Sequence, residues 1–207
     1  ARLEPYGIRG EYLPPAPRAS SLTPWAPAPG TYAIGATVLQ GPYAPDINTY
    51  AWFRGREPAA RLENALFVYQ VQAAEPAAWA VLCSQAGLST ETVRANLGQP
   101  TLRLLQPDCA SALVYPAGVG MIFSAASDPL PEGQLDFTLR TPDGTESARV
   151  TRVSRAPVPD HPWRITTSGP LDFLGYDTPE LAGESEILLR TYWQVKEHPT
   201  RLLSLMA

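Results

Sequence analysis

A mixed α+β protein is predicted: an α/β, three-layer-like unit over residues 1–127, then a β-rich region over residues 128–207. Three observations predict it. Strand-like and helix-like patterns alternate between Thr31 and Val71. From about residue 128 the texture turns to short runs that alternate polar and apolar. Proline is abundant, 23 of 207 residues, which favours loops, short strands and a few short helices.

Residues 1–30 are Pro-rich. Pro14-Pro15-Ala16-Pro17 and Pro24-Trp25-Ala26-Pro27-Ala28-Pro29 read as extended, polyproline-like segments. Residues 31–39 read as a buried strand with small residues on one face. Asp46 can cap a helix to about Arg56, with Ile47, Tyr50, Ala51 and the stem of Arg54 sharing a face. Gly55 and Pro58 end it. Leu62 to Val71 is the next strand. Strand, helix, strand is the order of a βαβ unit with a right-handed crossover.

Pro76 opens a second helix that runs to about Ala86 and stops at Gly87. Ser89 caps a third, with Glu91 in its first turn and Gly98 after its last. Thr101–Gln106 and Gly120–Ala125 read as strands, and Ala112–Tyr115 as a shorter one. Gln134–Arg140 and Glu146–Val153 alternate polar and apolar. Pro142-Asp143-Gly144 between them is turn chemistry, so the pair reads as a hairpin. Leu171–Tyr176 and Glu186–Val195 are further strands. This region reads as part of a sandwich that needs strands beyond Ala207 to close.

Charge excludes one class of partner. The net charge is -4, the pI about 5.2, and Lys196 is the only lysine. Nucleic-acid binders carry a basic patch or stripe, so nucleic acid is not an expected partner. No stretch approaches the ~18 consecutive apolar residues of a membrane span, and no apolar signal segment follows Ala1. A soluble piece is expected. Its start without Met and its end on Leu202-Leu203-Ser204-Leu205-Met206-Ala207 suggest excision from something longer.

The two cysteines are Cys83 and Cys109. The burial preference of the residue type favours two buried free thiols. The alternative is one disulfide in an oxidising compartment. Two Cys and two distant His lack zinc spacing, so no metal and no cofactor is expected.

Catalytic signatures are sparse. His161 and His198 both precede proline and read as solvated loop histidines. No Gly-x-Ser-x-Gly elbow, Gly-x-Gly-x-x-Gly turn or Walker loop occurs. Carboxylates that could serve a glycosidase are Asp46, Glu57, Glu63, Asp108, Asp136 and Asp172, none in a recognisable pair. Asp108 stands out, because it follows a predicted strand at the carboxyl end, where α/β sheets place ligands. A loop cap for the Ser111 region is the favoured reading.

Aromatic residues form the other candidate set. Trp25, Trp52, Trp79, Trp163 and Trp193 offer flat π surfaces for the C–H face of a pyranose. Trp25 and Trp163 lie in Pro-rich loops and are expected to be exposed. Trp52, Trp79 and Trp193 lie in regular elements and are expected in the core. Tyr43 is a rim candidate in the loop after Gln40-Gly41. The candidate carbohydrate-binding set is therefore Trp25, Tyr43, Trp163 and Asp108.

Two runs carry a family resemblance. One is Pro29-Gly30-Thr31-Tyr32-Ala33-Ile34-Gly35-Ala36-Thr37-Val38-Leu39-Gln40-Gly41. The other spans Tyr50-Ala51-Trp52-Phe53-Arg54-Gly55-Arg56-Glu57-Pro58-Ala59-Ala60-Arg61 and leads into Ala65-Leu66-Phe67-Val68-Tyr69. Together they resemble the soluble tail of GT-C, mannosyltransferase-like membrane glycosyltransferases. Tyr6-Gly7-Ile8 with Tyr12-Leu13-Pro14, Leu102–Leu105 with Asp108-Cys109, and Leu174-Gly175-Tyr176 with Thr191-Tyr192-Trp193 look similar to flanking segments of the same class. The resemblance implies an integral membrane enzyme that moves a sugar from a polyprenyl-phosphate donor to an extracytoplasmic acceptor. Its catalytic acidic residue would lie in a loop between membrane helices that this chain lacks, so no catalytic residue carries over.

Three functions follow as expectations. The first is a non-catalytic domain on the extracytoplasmic face of the membrane, partnered by the membrane-embedded part of the same polypeptide and by a glycan or lipid-linked sugar. The second is a carbohydrate-binding module. The third is an independent soluble hydrolase built around Asp108; the missing nucleophile–base pair ranks it last.

Overall fold

β1 (Gly30–Gly35) stops at a glycine and passes straight into a single helical turn, α1 (Ala36–Leu39). The computed structural model describes residues 9–14, 22–44, 46–181 and 187–197. Tyr6-Gly7-Ile8, Pro15 to Pro17, His198 and the apolar run 202–206 lie outside these residues. The protein is mixed and β-rich, with several sheets and a few short helices. It forms two compact units, residues 1–156 and 157–207.

In the first unit Asp46 caps a 3-10 turn (Ile47–Tyr50) by accepting the Asn48 N–H at 2.8 Å. The turn runs on into α2 (Ala51–Arg54). Tyr50, Ala51 and Phe53 are buried, while Ile47 and Arg54 are only partly so. The change of pitch rotates Phe53 inward, off the predicted stripe.

The strand expected from Leu62 is a hairpin. β2 (Ala60–Leu62) turns through Glu63, at φ 53, into β3 (Leu66–Val71). β1 pairs antiparallel with the other edge of β3, Ala33 facing Val68 and Ile34 facing Phe67. The predicted parallel βαβ unit is therefore corrected to a three-stranded antiparallel sheet, ordered β1-β3-β2. Ile34, Leu39, Tyr50, Phe53, Tyr69 and Val71 form its core.

The helix expected from Pro76 is also corrected. Trp79–Leu82 is a strand, β4, buried at every position. A short apolar run fits either element by pattern, and burial on both faces of a sheet decides for the strand. A 3-10 turn (Ser84–Ala86) follows, then α3 (Thr90–Leu97). Ser89 Oγ accepts the Thr92 N–H at 3.1 Å, and Gly98 closes the helix in the left-handed region, as its sequence predicts. β5 (Arg103–Leu105) returns parallel to β4, so the crossover unit lies here.

β6 (Gly120–Ala125) lies parallel to β4 on its other edge. Residues 106–119 must therefore cross one face of β4. The short strand expected at Ala112–Tyr115 lies in this connection and is corrected to irregular backbone. β7 (Gln134–Arg140) and β8 (Glu146–Val153) form the predicted hairpin. β8 pairs with β6, giving a five-stranded sheet ordered β5-β4-β6-β8-β7. The texture change at residue 128 thus falls inside one sheet, and the units part at 156/157.

Both faces of this sheet are covered. One packs Leu82, Phe123 and Phe137 against Val93 and Leu97 of α3. The other packs Trp79, Val81, Ile122 and Val153 under Cys109 and Tyr115 of the crossing loop. Gly120 is required there, since a Cβ would sit 2.1 Å from the Trp79 ring.

In the second unit β9 (His161–Ile165), β10 (Leu171–Tyr176) and β13 (Thr191–Val195) form an antiparallel sheet ordered β13-β10-β9. The small ladder β11 (Glu180–Leu181) with β12 (Ile187–Leu188) precedes β13.

Candidate functional site

The carboxyl end of the parallel strands is where an α/β sheet leaves a crevice for ligand. Here a covalent bridge spans it. Cys83 directly follows β4, Cys109 lies four residues beyond β5, and the two form a disulfide with Cα atoms 5.3 Å apart. The expectation of two free thiols is corrected to the alternative pairing. The adjacency of β4 and β5, which the sequence does not display, brings the two thiols together.

Asp108 lies beside the bridge. Its carboxylate accepts Ser111 Oγ at 2.7 Å, Gln85 Nε2 at 3.2 Å and the Ala110 N–H at 3.2 Å. Hydrogen bonds from Ser111, then Gln85, then Ala110 hold its carboxyl below the usual carboxylate range. A general acid needs the opposite shift. Asp108 is built as the cap of its own loop and as a second clamp, through Gln85, parallel to the disulfide.

Of the other five candidate carboxylates, Glu63 is exposed at the β2–β3 turn and four are engaged. Asp46 is a cap, Glu57 pairs with Arg61 at 2.7 Å, and Asp136 pairs with Arg56. Asp172 sits buried between Lys196 Nζ at 3.0 Å and Arg164 at 3.6 Å. Among the described residues no group of three His, Cys, Asp or Glu could hold a metal ion.

The predicted carbohydrate set is not gathered into one place. Trp25, expected on the surface, is 2% exposed. Its backbone N–H donates to Asn96 O at 3.0 Å, at the end of α3, and its ring lies 5.7 Å from Phe123 and 6.1 Å from Phe137. Proline around it shapes a turn that delivers the indole into the core, which corrects the expectation. Tyr43 is 65% exposed, as a rim residue should be. It follows an open cavity of about 390 Å³ lined by Gly41, Pro42, Asp46, Ile47 and Pro142. Gly41 has φ +93, and a Cβ there would meet Ile47 O at 2.8 Å, so only glycine fits.

Trp163 is 62% exposed, in the second unit. It lies on β9 rather than in a loop. The register shifts between Phe173 and Gly175 on both edges of β10, but the pairings on either side of the shift, Phe173↔Ile165, Phe173↔Trp193 and Tyr176↔His161, with the strand period of two along β9, put Trp163 on one face with Ile165, Phe173 and Trp193. The opposite face holds Arg164, Asp172 and Gln194, with Lys196 beyond.

Trp193, expected in the core, is 36% exposed and corrects that reading. Its ring sits edge-on to Phe173 at 5.0 Å, and its Nε1–H donates to Thr191 Oγ1 at 3.1 Å. His161 opens β9 and packs at 5.0 Å from the Tyr176 ring, with Nε2 3.2 Å from Thr178 Oγ1. It is therefore a strand residue with partners, against the loop expectation. The period-two alternation of His161-Pro162-Trp163-Arg164-Ile165 and Thr191-Tyr192-Trp193-Gln194-Val195 was the signal that could have found this face. No family model, curated protein or solved structure matches the chain.

Proposed function

We propose that this chain is a non-catalytic domain on the extracytoplasmic face of a GT-C, mannosyltransferase-like membrane glycosyltransferase. The whole enzyme would move a sugar from a polyprenyl-phosphate donor, and its membrane-embedded part would be the partner of this domain. The Cys83–Cys109 disulfide carries the reading. Disulfides persist in oxidising compartments and are rare in the cytosol, which favours an exported domain. The engagement of Asp108 with its own loop supports the non-catalytic assignment over a hydrolase.

The test is the size and cell fraction of the native protein, read by immunoblot with an antibody raised to this chain. The expected result is a membrane-bound band far above 22.4 kDa. A soluble band near 22.4 kDa overturns the proposal. Thiol alkylation of intact cells adds a second readout: Cys83 and Cys109 should resist modification until a reductant is added.

A further inference from the structure

We infer that the aromatic face of the β9–β10–β13 sheet is a binding platform for a neutral glycan. The inference rests on the proposed reading of this chain as an exported, sugar-associated domain. Trp163, Ile165, Trp193 and Val195 are all exposed on this face, although Phe173 between them is partly covered. The rings are thus accessible on this sheet.

Two features select the occupant. The first is charge. Arg164 and Asp172 are placed on the opposite face by the strand alternation, and ion pairs to Asp172 hold Arg164 and Lys196 there. The open face is left with rings, aliphatic side chains, the Thr191 hydroxyl and the His161 imidazole. An uncharged ligand with apolar C–H faces and hydroxyl rims complements that surface. A charged peptide or nucleic acid does not.

The second feature is preorganisation. Trp193 is fixed by Thr191 and Phe173, and His161 by Thr178 and Tyr176. Rings held in place before binding lose little freedom when a flat ligand stacks on them. β9 and β13 flank β10, so Trp163 and Trp193 stand on strands about 10 Å apart. That span suits two neighbouring sugar rings of an extended oligosaccharide. His161 and Thr178 place hydrogen-bonding atoms at the rim.

The experiment is a titration of the full 207-residue chain with mannotetraose and, separately, cellotetraose, read by tryptophan fluorescence. A saturable change with at least one of them is expected. Trp163→Ala and Trp193→Ala should each weaken it about tenfold or more. Trp163→Phe should keep part of the affinity, because a ring remains. Arg164→Ala, on the opposite face, should leave it unchanged.

Absence of a saturable change with both sugars up to about 20 mM overturns the inference. So does self-association in sedimentation that Trp163→Ala abolishes, which would make a second copy the occupant. Flotation with phosphatidylcholine vesicles that depends on Trp163 would overturn it in favour of a lipid surface. None of these results bears on the size and fraction of the native protein, so the two proposals fail separately.

Discussion

The five-stranded sheet of the first unit and the three-stranded sheet of the second are built on opposite principles. β4 and β6 are buried along their whole length, whereas β9 is exposed at every position and β13 at all but Tyr192. Parallel neighbours demand crossovers, and the crossovers cover both faces of the first sheet. The second sheet is antiparallel, so its strands need no crossover. Its polar face is closed by Asp172 with Lys196 and Arg164, and its aromatic face is left open. Stability should therefore reside in the first sheet, and recognition in the second.

The largest test of this contrast is Phe123→Ala. Phe123 is fully buried at the centre of β6 between Trp25 and the α3 side of the core. Its loss should cost about 4 kcal/mol, read by urea denaturation. Nearly as large is the loss of the disulfide through Cys83→Ser with Cys109→Ser. Its 26-residue separation implies about 3.5 kcal/mol from loop closure. A shift well below this would mean that the Gln85–Asp108 clamp holds the same segments without the covalent bond.

These two positions also show what could be read in advance. β6 was legible as Gly120–Ala125, because a continuous apolar run bounded by turn residues has few other uses. The 134–153 hairpin was legible from alternation and its Pro142-Asp143-Gly144 turn, and α3 from Ser89 and Gly98. What failed was set at a distance. The orientation of β1 against β3 leaves no local trace, and Trp79-Ala80-Val81-Leu82 reads equally as helix or strand. Trp25 and Trp163 each follow a proline directly, yet one meets Phe123 and Phe137 while the other meets solvent. Of the candidate site, the sequence marks Trp163 only through its Pro-rich setting. Its partnership with Trp193 depends on β10 lying between their strands.

Ser89→Ala should have an intermediate effect. It removes the oxygen that accepts the Thr92 N–H, at a cost of about 1 kcal/mol. Calorimetry should show that loss in the transition of the first unit and leave the second unit's transition in place.

In the second unit a pH test sharpens the contrast. Hydrogen bonding from Lys196, then from the Thr167 N–H, holds the Asp172 carboxyl below its usual range. A depressed folded-state pKa adds stability above the unfolded value, near pH 4. That contribution is lost as pH falls through the lower folded value. Near-UV circular dichroism should therefore change in acid, and Asp172→Asn should flatten that response.

The smallest expected effect on stability is the most diagnostic. Trp163→Ala removes a large ring that folding leaves mostly in water, so little buried area is lost. The urea midpoint should move by no more than about 0.5 kcal/mol, as for other surface positions. Trp25→Ala removes the same side chain from the core and should cost about 3–5 kcal/mol. A loss of several kcal/mol at Trp163 would show that the aromatic face is covered in solution, and the two sheets would no longer differ in kind. A negligible loss leaves a large exposed indole whose retention folding does not explain, and moves the question to what it binds.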